Sequence, residues 1–222
     1  MSNTYIVGEQ TKATILRESK KLFYNNGYTN TTYSEISSTA GINRALIPYH
    51  FKNKQILGLE IYREIMKTFY ELIDNLLDIS QFDSDFVSIL HTITYYRLLS
   101  TNAPLLRFLS ELQADEGTTL FVMEEEQRWL TCLGDKFSSL DEQELSILTQ
   151  MHIGAKKEII NSFHNDMNND SDTISHMHIS MLMRYAGYSV EKIDELFYAT
   201  VEIANLLNFR IHNDFTVELE YI

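Results

Sequence analysis

Thr31 to Lys54, TTYSEISSTAGINRALIPYHFKNK, reads as two short helices joined at a glycine and released through an aromatic, basic exit into a third helix. Thr31 or Thr32 is a good N-cap for the first, and Glu35, three residues after Thr32, completes a capping box. Ile36, Ala40, Ile42 and Ile47 are the positions that must be buried for two helices to cross around a tight turn. Gly41 supplies the positive φ such a turn requires. Asn43 is placed to cap the second helix and Asn53 the third. Between the buried positions, Asn43, Arg44, Ala45, Leu46, Tyr49 and His50 face outward.

Working outward, Ile15, Leu16, Ser19, Leu22 and Phe23 define one face of a helix over 11–26. Gly27 is its left-handed terminator, with Tyr28 folding back as the hydrophobic partner. After Asn53 a long helix carries the stripe Leu57, Ile61, Ile65, Phe69, Leu72, Leu76 and Ile79. Further helices are expected at about 83–100, 104–115 (Asn102 before Pro104) and 119–137, with Gly117 marking a break. Asp141 opens another to about 166, a shorter one covers about 172–186 up to Gly187, and Ser189 caps a last one to about Asn213. Only 8 Gly and 2 Pro punctuate 222 residues, which argues against many short strands. The expected fold class is all-α: a three-helix head, residues 1–54 with the helix-turn-helix at about 32–51, joined through the long helix to a helical body, residues 55–222.

The net charge of −13 is unevenly divided along the chain. Residues 1–57 carry 7 Lys/Arg against 3 Asp/Glu, a net +4, and the remainder 11 against 28, a net −17. Fields from the acidic part are screened beyond roughly 8–10 Å at physiological salt, so a basic head can still meet phosphate. Asn and Arg pair bidentately with adenine and guanine edges. Lys52 and Lys54 lie where a helix N-terminus also presents free N–H groups, which together make a phosphate site. A single cysteine, Cys132, allows no intrachain disulfide, and MSNTYIVGEQTK lacks the apolar core of a secretory leader. No run approaches 18 apolar residues, so a cytoplasmic, membrane-free chain is expected.

LFYNNGYTNTT, AGINRALI and YHFKNKQIL, within about Thr11 to Leu57, resemble the N-terminal domain of tetracycline-repressor-like (TetR family) regulators. The resemblance covers about a quarter of the chain; the rest is similar only in length and helical content. It implies a cytoplasmic homodimer, a palindromic double-stranded operator, and a C-terminal domain that binds a small-molecule effector and releases DNA. By that resemblance Thr32 and Tyr33 touch the DNA backbone, Asn43, Arg44, Ala45 and Leu46 face bases, and Tyr49, His50, Lys52 and Lys54 hold phosphates. Two positions depart from the pattern. Ser37 stands where a small alanine is usual, and Pro48 where an aromatic phosphate contact is usual. Proline lacks its N–H and crowds the Arg44 carbonyl, so a kinked or early-ending recognition helix is expected.

In the body, Phe69, Tyr95, Tyr96, Phe108, Phe121, Trp129 and His152 are candidate pocket residues for an apolar or amphipathic effector. Leu148, Ala155 and Ile159 on one helix, with Ile193, Phe197, Ala204, Leu207 and Ile211 on the last, form a seam suited to a homodimer interface. No G-x-G-x-x-G, Walker loop, G-x-S-x-G or E-x-x-H occurs, so no enzyme, cofactor or metal is expected. Glu124, Glu125 and Glu126 read as a solvated helix face, Cys132 as a small core residue, and His176 and His178 as polar surface. The expected function is a DNA-binding transcriptional regulator, a repressor released by a small molecule. The alternative is a regulator controlled by a protein partner docking on the acidic body.

Overall fold

The computed structural model describes residues 3–115, 118–133, 137 and 139–221. The helices with described bounds are α1 (Asn3–Asn26), α2 (Tyr33–Ala40), α3 (Leu46–Phe51), α4 (Lys54–Leu77), α5 (Ser84–Thr101), α6 (Ala103–Ala114), α7 (Thr118–Cys132), α8 (Glu142–Asn165), α9 (Ser171–Tyr185) and α10 (Val190–Ala204). An antiparallel hairpin, β1 (Leu207–Ile211) with β2 (Val217–Tyr221), closes the described chain.

Local chemistry sets most boundaries. Thr32 accepts from the Glu35 N–H while the Glu35 carboxylate accepts from the Thr32 N–H, so the expected capping box is formed. Asp141 and Glu144 make a second one at the start of α8. Asn53 and Asn102 cap α4 and α6 through their side-chain oxygens, and Ser189 caps α10. Gly41 takes φ 65° between α2 and the following turn.

Three expectations are corrected. Helix α1 begins at Asn3, eight residues before Thr11. The buried stripe of α4 continues from Phe69 to Ile73, whereas Leu76 is exposed; Leu72 and Leu76 border a groove against Val217 and Leu219 of β2. The last helix stops at Ala204, and the segment expected to continue it forms the hairpin. LNFRI and VELEY alternate apolar and polar residues with period two, which a half-buried strand satisfies and a helix cannot. Phe209 packs on Phe69 of α4 at 4.8 Å between ring centroids.

One main core runs without a break from the head, through Phe23, Tyr28, Ile36 and Phe51, into the body through Leu57, Phe69, Phe108 and Phe163. Helix α5 lies against α9 and α10, while α6 and α7 lie against α8. A small satellite core gathers Leu130, Leu133, Phe137, Leu148 and Leu182. The supposed dimer seam is part of these cores. Leu148, Ile193, Phe197, Ala204 and Ile211 are all buried within the protomer, Ala155 and Ile159 are half-buried, and Leu207 and Ile211 lie on a strand. A period of three and four identifies a buried face, and that face is covered here by the chain's own helices.

Candidate functional site

In the head, Ile36, Ile47 and Phe51 are buried, which leaves a ridge of exposed residues along the turn and α3. Asn43, Arg44, Ala45, Tyr49 and Lys52 are exposed, Leu46 and His50 half-buried, and Tyr49 is 78% accessible. Thr32 is exposed and Tyr33 half-buried at the start of α2. Asn43 does not cap α3 as expected. Its Oδ1 accepts from the Ala45 N–H in an Asx turn, and α3 starts at Leu46 with no side-chain cap. Pro48 neither kinks α3 nor cuts it short. The Arg44 carbonyl it would crowd accepts instead from Ile47 in a tighter turn, so the helix starts late and Pro48 occupies its first turn, where no N–H is needed.

Cation pairing in the head is selective. Lys12 and Lys20 bond Glu60 and Glu64 of α4, and Arg17 and Lys21 share Glu18. Lys54 is half-buried, donates to the Thr29 carbonyl and sits 4.5 Å from the Tyr28 ring centroid, so its expected phosphate role is shared with a structural one. Among the described residues of the head, Arg44 and Lys52 are the cations without a hydrogen-bond or ion-pair partner. Lys52 holds φ 60° and ψ −57° between the Phe51 carbonyl and the Asn53 N–H, 2.6 Å apart, which is the strained γ-turn conformation. That turn aims the lysine away from the core at the point where α3 gives way to α4.

Helix α6 clasps the head. Arg107 donates to the carbonyls of Tyr24 and Asn25 at the end of α1, where a cation also suits the helix dipole. Glu111 accepts from the Thr29 N–H at 2.7 Å, and Asp115 from the Tyr28 hydroxyl at 2.6 Å. Gly27 takes φ +87°, a conformation that residues with a Cβ rarely adopt, and a Cβ there would also press on the Glu111 carboxylate at 2.8 Å. Gln55 of α4 reaches Thr118 at the start of α7.

Between α4, α5, α7, α8 and α9 lies a cavity of about 500 Å³. Of the candidate pocket residues, Tyr95, Tyr96, Trp129 and His152 line it; Phe69 and Phe108 do not, being fully buried against Phe209 and against Phe23. The side chains of Phe121, Glu124 and Cys132, and Gly117, lie outside the described residues. Tyr62, Met66, Tyr70, Glu126, Lys156 and His178 line the cavity too, and the sequence reading missed them.

Five of these groups form one chain. The Tyr96 hydroxyl meets His178 Nδ1 at 2.7 Å, His178 Nε2 meets His152 Nδ1 at 3.1 Å, and His152 Nε2 meets Glu126 Oε2 at 2.9 Å. Lys156 donates to Glu126 Oε1 at 2.6 Å. Glu126 is therefore no solvated helix face and His178 no polar surface. Only His176 is near the surface, bonded to Asp194. Burial alone would raise the Glu126 carboxyl, but Lys156 and His152 outweigh it and hold it well below the usual range. Glu126 in turn holds Lys156 charged against its desolvation. Burial, with the Lys156 charge adding, pushes His178 down to about 3, and burial lowers His152 as well despite Glu126.

These neutral histidines give stability a sign. Between pH 6.5 and about 3 the unfolded chain binds a proton at residue 178 that the folded chain refuses, so stability falls as pH falls through this window. His178 alone contributes a slope of about 1.4 kcal/mol per pH unit. Urea unfolding at pH 7.5 and 5.5 is expected to show lower stability at 5.5; equal or higher stability at 5.5 would contradict the arrangement.

A short exposed helix crossing a capped partner at a glycine, with its unpaired cations on the outer ridge, defines a helix-turn-helix head on a helical body. The profile of bacterial regulatory proteins of the tetR family matches residues 15–61. Over these residues the chain is similar to that family. The HTH-type transcriptional regulator TtgR of Pseudomonas putida is 29% identical over 77 residues, and the probable regulator ArpR of the same species matches equally. The match covers 35% of this chain and 35% of the length of each of these relatives. Over most of the chain the likeness is one of fold. RolR in complex with resorcinol is 14% identical with a TM-score of 0.64, over 87% of this chain and 95% of that one. A TetR-family regulator from Streptomyces coelicolor is 16% identical with a TM-score of 0.54, over 81% and 96%. No described helix is long and apolar enough to cross a membrane, and no group of three or more metal-ligating side chains occurs among the described residues.

Proposed function

We propose that this chain is a transcriptional repressor whose head, residues 1–54, binds a palindromic operator and whose body, residues 55–222, binds a small-molecule effector that releases it. The observation that carries the reading is the pairing pattern of the head: carboxylates or local acceptors occupy its other cations, while Arg44 and Lys52 on the reading ridge stay open for DNA. Arg44 is the base reader and Lys52 the phosphate anchor. Asn43 retains its Nδ2 donors for a base edge, and Tyr49 and His50 flank the backbone contacts.

The cavity favours a small molecule over a protein partner as the effector. RolR, a likeness in fold, was solved with resorcinol, a small aromatic. An effector between α4 and α7 bears on two elements that reach the head, through Lys54 and Gln55 of α4 and the α6–α7 corner at Thr118. A displaced α4 shifts two heads away from half-sites about 34–36 Å apart. The second copy docks on an exposed apolar face instead of the buried seam; Met177, Met181 and Tyr185 repeat every four residues along α9 and are all exposed.

Selection of duplexes from a random library, followed by mobility-shift titration at fixed salt, tests the reading. Arg44→Ala is expected to weaken the selected site by about 5–150-fold, from 1–3 kcal/mol of base readout. Lys52→Ala is expected to weaken all duplexes alike and to lower the salt slope by about 1. Unchanged binding by both variants would overturn the assignment of the head.

A further inference from the structure

The hydrogen-bond chain in the cavity has a direction. Glu126 is ionised and can only accept, so His152 Nε2 carries a proton and donates to it. A neutral His152 then accepts at Nδ1, so His178 donates from Nε2 and accepts at its own Nδ1. The proton of Tyr96 is thereby committed to His178. What Tyr96 offers at the open end of the chain is the lone pair of its oxygen, an acceptor and no longer a donor. Tyr62, Tyr70 and Tyr95 also line the cavity, and among the described residues their hydroxyls make no hydrogen bond. Burial raises all three above the ordinary phenol range, so they stay neutral and are free to donate.

Charge is just as uneven. Glu126 and Lys156 cancel inside, Arg63 is paired with Glu125 and Lys67 with Glu71, which leaves Arg128 as the lining cation without an ion-pair partner among the described residues. That cation sits in a body whose net charge is −17. The rest of the lining is chiefly aromatic, with Trp129 stacked on His152 at 4.8 Å.

Resting on the reading of this cavity as the effector site, we propose that it takes a hydroxylated aromatic acid: a planar ring among the tyrosines and Trp129, a hydroxyl donating to Tyr96 Oη, and a carboxylate toward Arg128. Tyr96 acts as the specificity-determining residue, because the Glu126-anchored chain has fixed it as an acceptor. A ligand group that can only accept meets a lone pair there and is rejected.

Calorimetric titration of the full chain without DNA tests this, so its outcome is separate from whether the head binds an operator. The probes are 4-hydroxycinnamate, its 4-methoxy ether, which lacks the donor, and its methyl ester, which lacks the charge. The acid with a free hydroxyl is expected to bind about tenfold or more tighter than either analogue. Tyr96→Phe is expected to abolish the preference over the ether, and Arg128→Gln to reduce the preference over the ester. The comparison of probes on the unaltered chain does not depend on how well the variants fold. Equal affinities for the three probes, tighter binding of the ether or ester, or no detectable binding of the acid at millimolar concentration would each overturn the assignment.

Discussion

Replacing Lys156 with methionine is expected to lower the unfolding free energy by about 3–5 kcal/mol, because it strands a carboxylate in the interior. Glu126 and Lys156 are only 12% and 16% exposed, and the ammonium is the strongest influence holding the carboxylate ionised. Without it Glu126 is desolvated with a neutral histidine as its remaining partner, and the group responds by taking up a proton. Its folded pKa then rises above the unfolded value, so the variant's deficit shrinks as pH falls toward that value. The double variant Lys156→Met with Glu126→Gln is expected to recover most of the loss, since the amide oxygen still accepts from His152 and no charge is buried. Urea unfolding of the three proteins at pH 7.5 measures this. A single-variant loss below about 1 kcal/mol, or a double variant no more stable than the single, would show that the pair is not coupled as its geometry requires.

This pair also marks the limit of what was legible in the chain. Capping chemistry is local, so Thr32 with Glu35, Asn53, Asn102, Asp141 with Glu144, and Ser189 could be placed from a few adjacent residues, and each caps a helix in the structure. Glu126, His152 and His178 lie 26 residues apart in each step, and nothing in a run of three glutamates distinguishes the one that turns inward. His176 and His178 look equivalent in sequence, yet one meets Asp194 near the surface and the other is buried against Tyr96. Helical spacing located buried faces correctly but could not name their partners: the face through Ile193, Phe197 and Ala204 is covered by the protomer itself. Pro48 was recognisable as an anomaly, and its consequence depended on whether the helix could start later, which the Asx turn at Asn43 allows.

The hairpin was missed for a more instructive reason. Its turn runs from His212 to Phe215, closed by the Phe215 N–H to the His212 carbonyl, and ends on a left-handed residue, a position that ordinarily calls for glycine or asparagine. Here it is Phe215, at φ 61°, so the usual turn signal is absent. An aromatic residue tolerates that backbone only when its side chain is strongly held. Phe215 is 2% exposed, with its ring 5.3 Å from Tyr24 of α1 and 5.1 Å from Phe108 of α6.

Phe108 is therefore a joint and not part of a ligand pocket. It stacks on Phe23 at 5.7 Å, meets Tyr28 edge-on at 6.3 Å, and receives the strained Phe215, so α1, α6 and the hairpin converge on one ring. Truncation by Phe108→Ala is expected to cost about 3–5 kcal/mol of unfolding free energy, the transfer loss plus a void that three separately anchored elements cannot close. Phe108→Leu is expected to cost less, because it refills much of the volume. Arg107, Glu111 and Asp115 still tie α6 to the head by hydrogen bonds in both variants. The loss therefore measures the apolar joint and not the polar clasp. Effector affinity is expected to stay within about threefold of the parent under conditions where Phe108→Ala remains folded, because the ring does not line the cavity. A stability loss below about 1 kcal/mol, or a selective loss of effector binding with stability intact, would return Phe108 to the pocket and remove it from the joint between head and body.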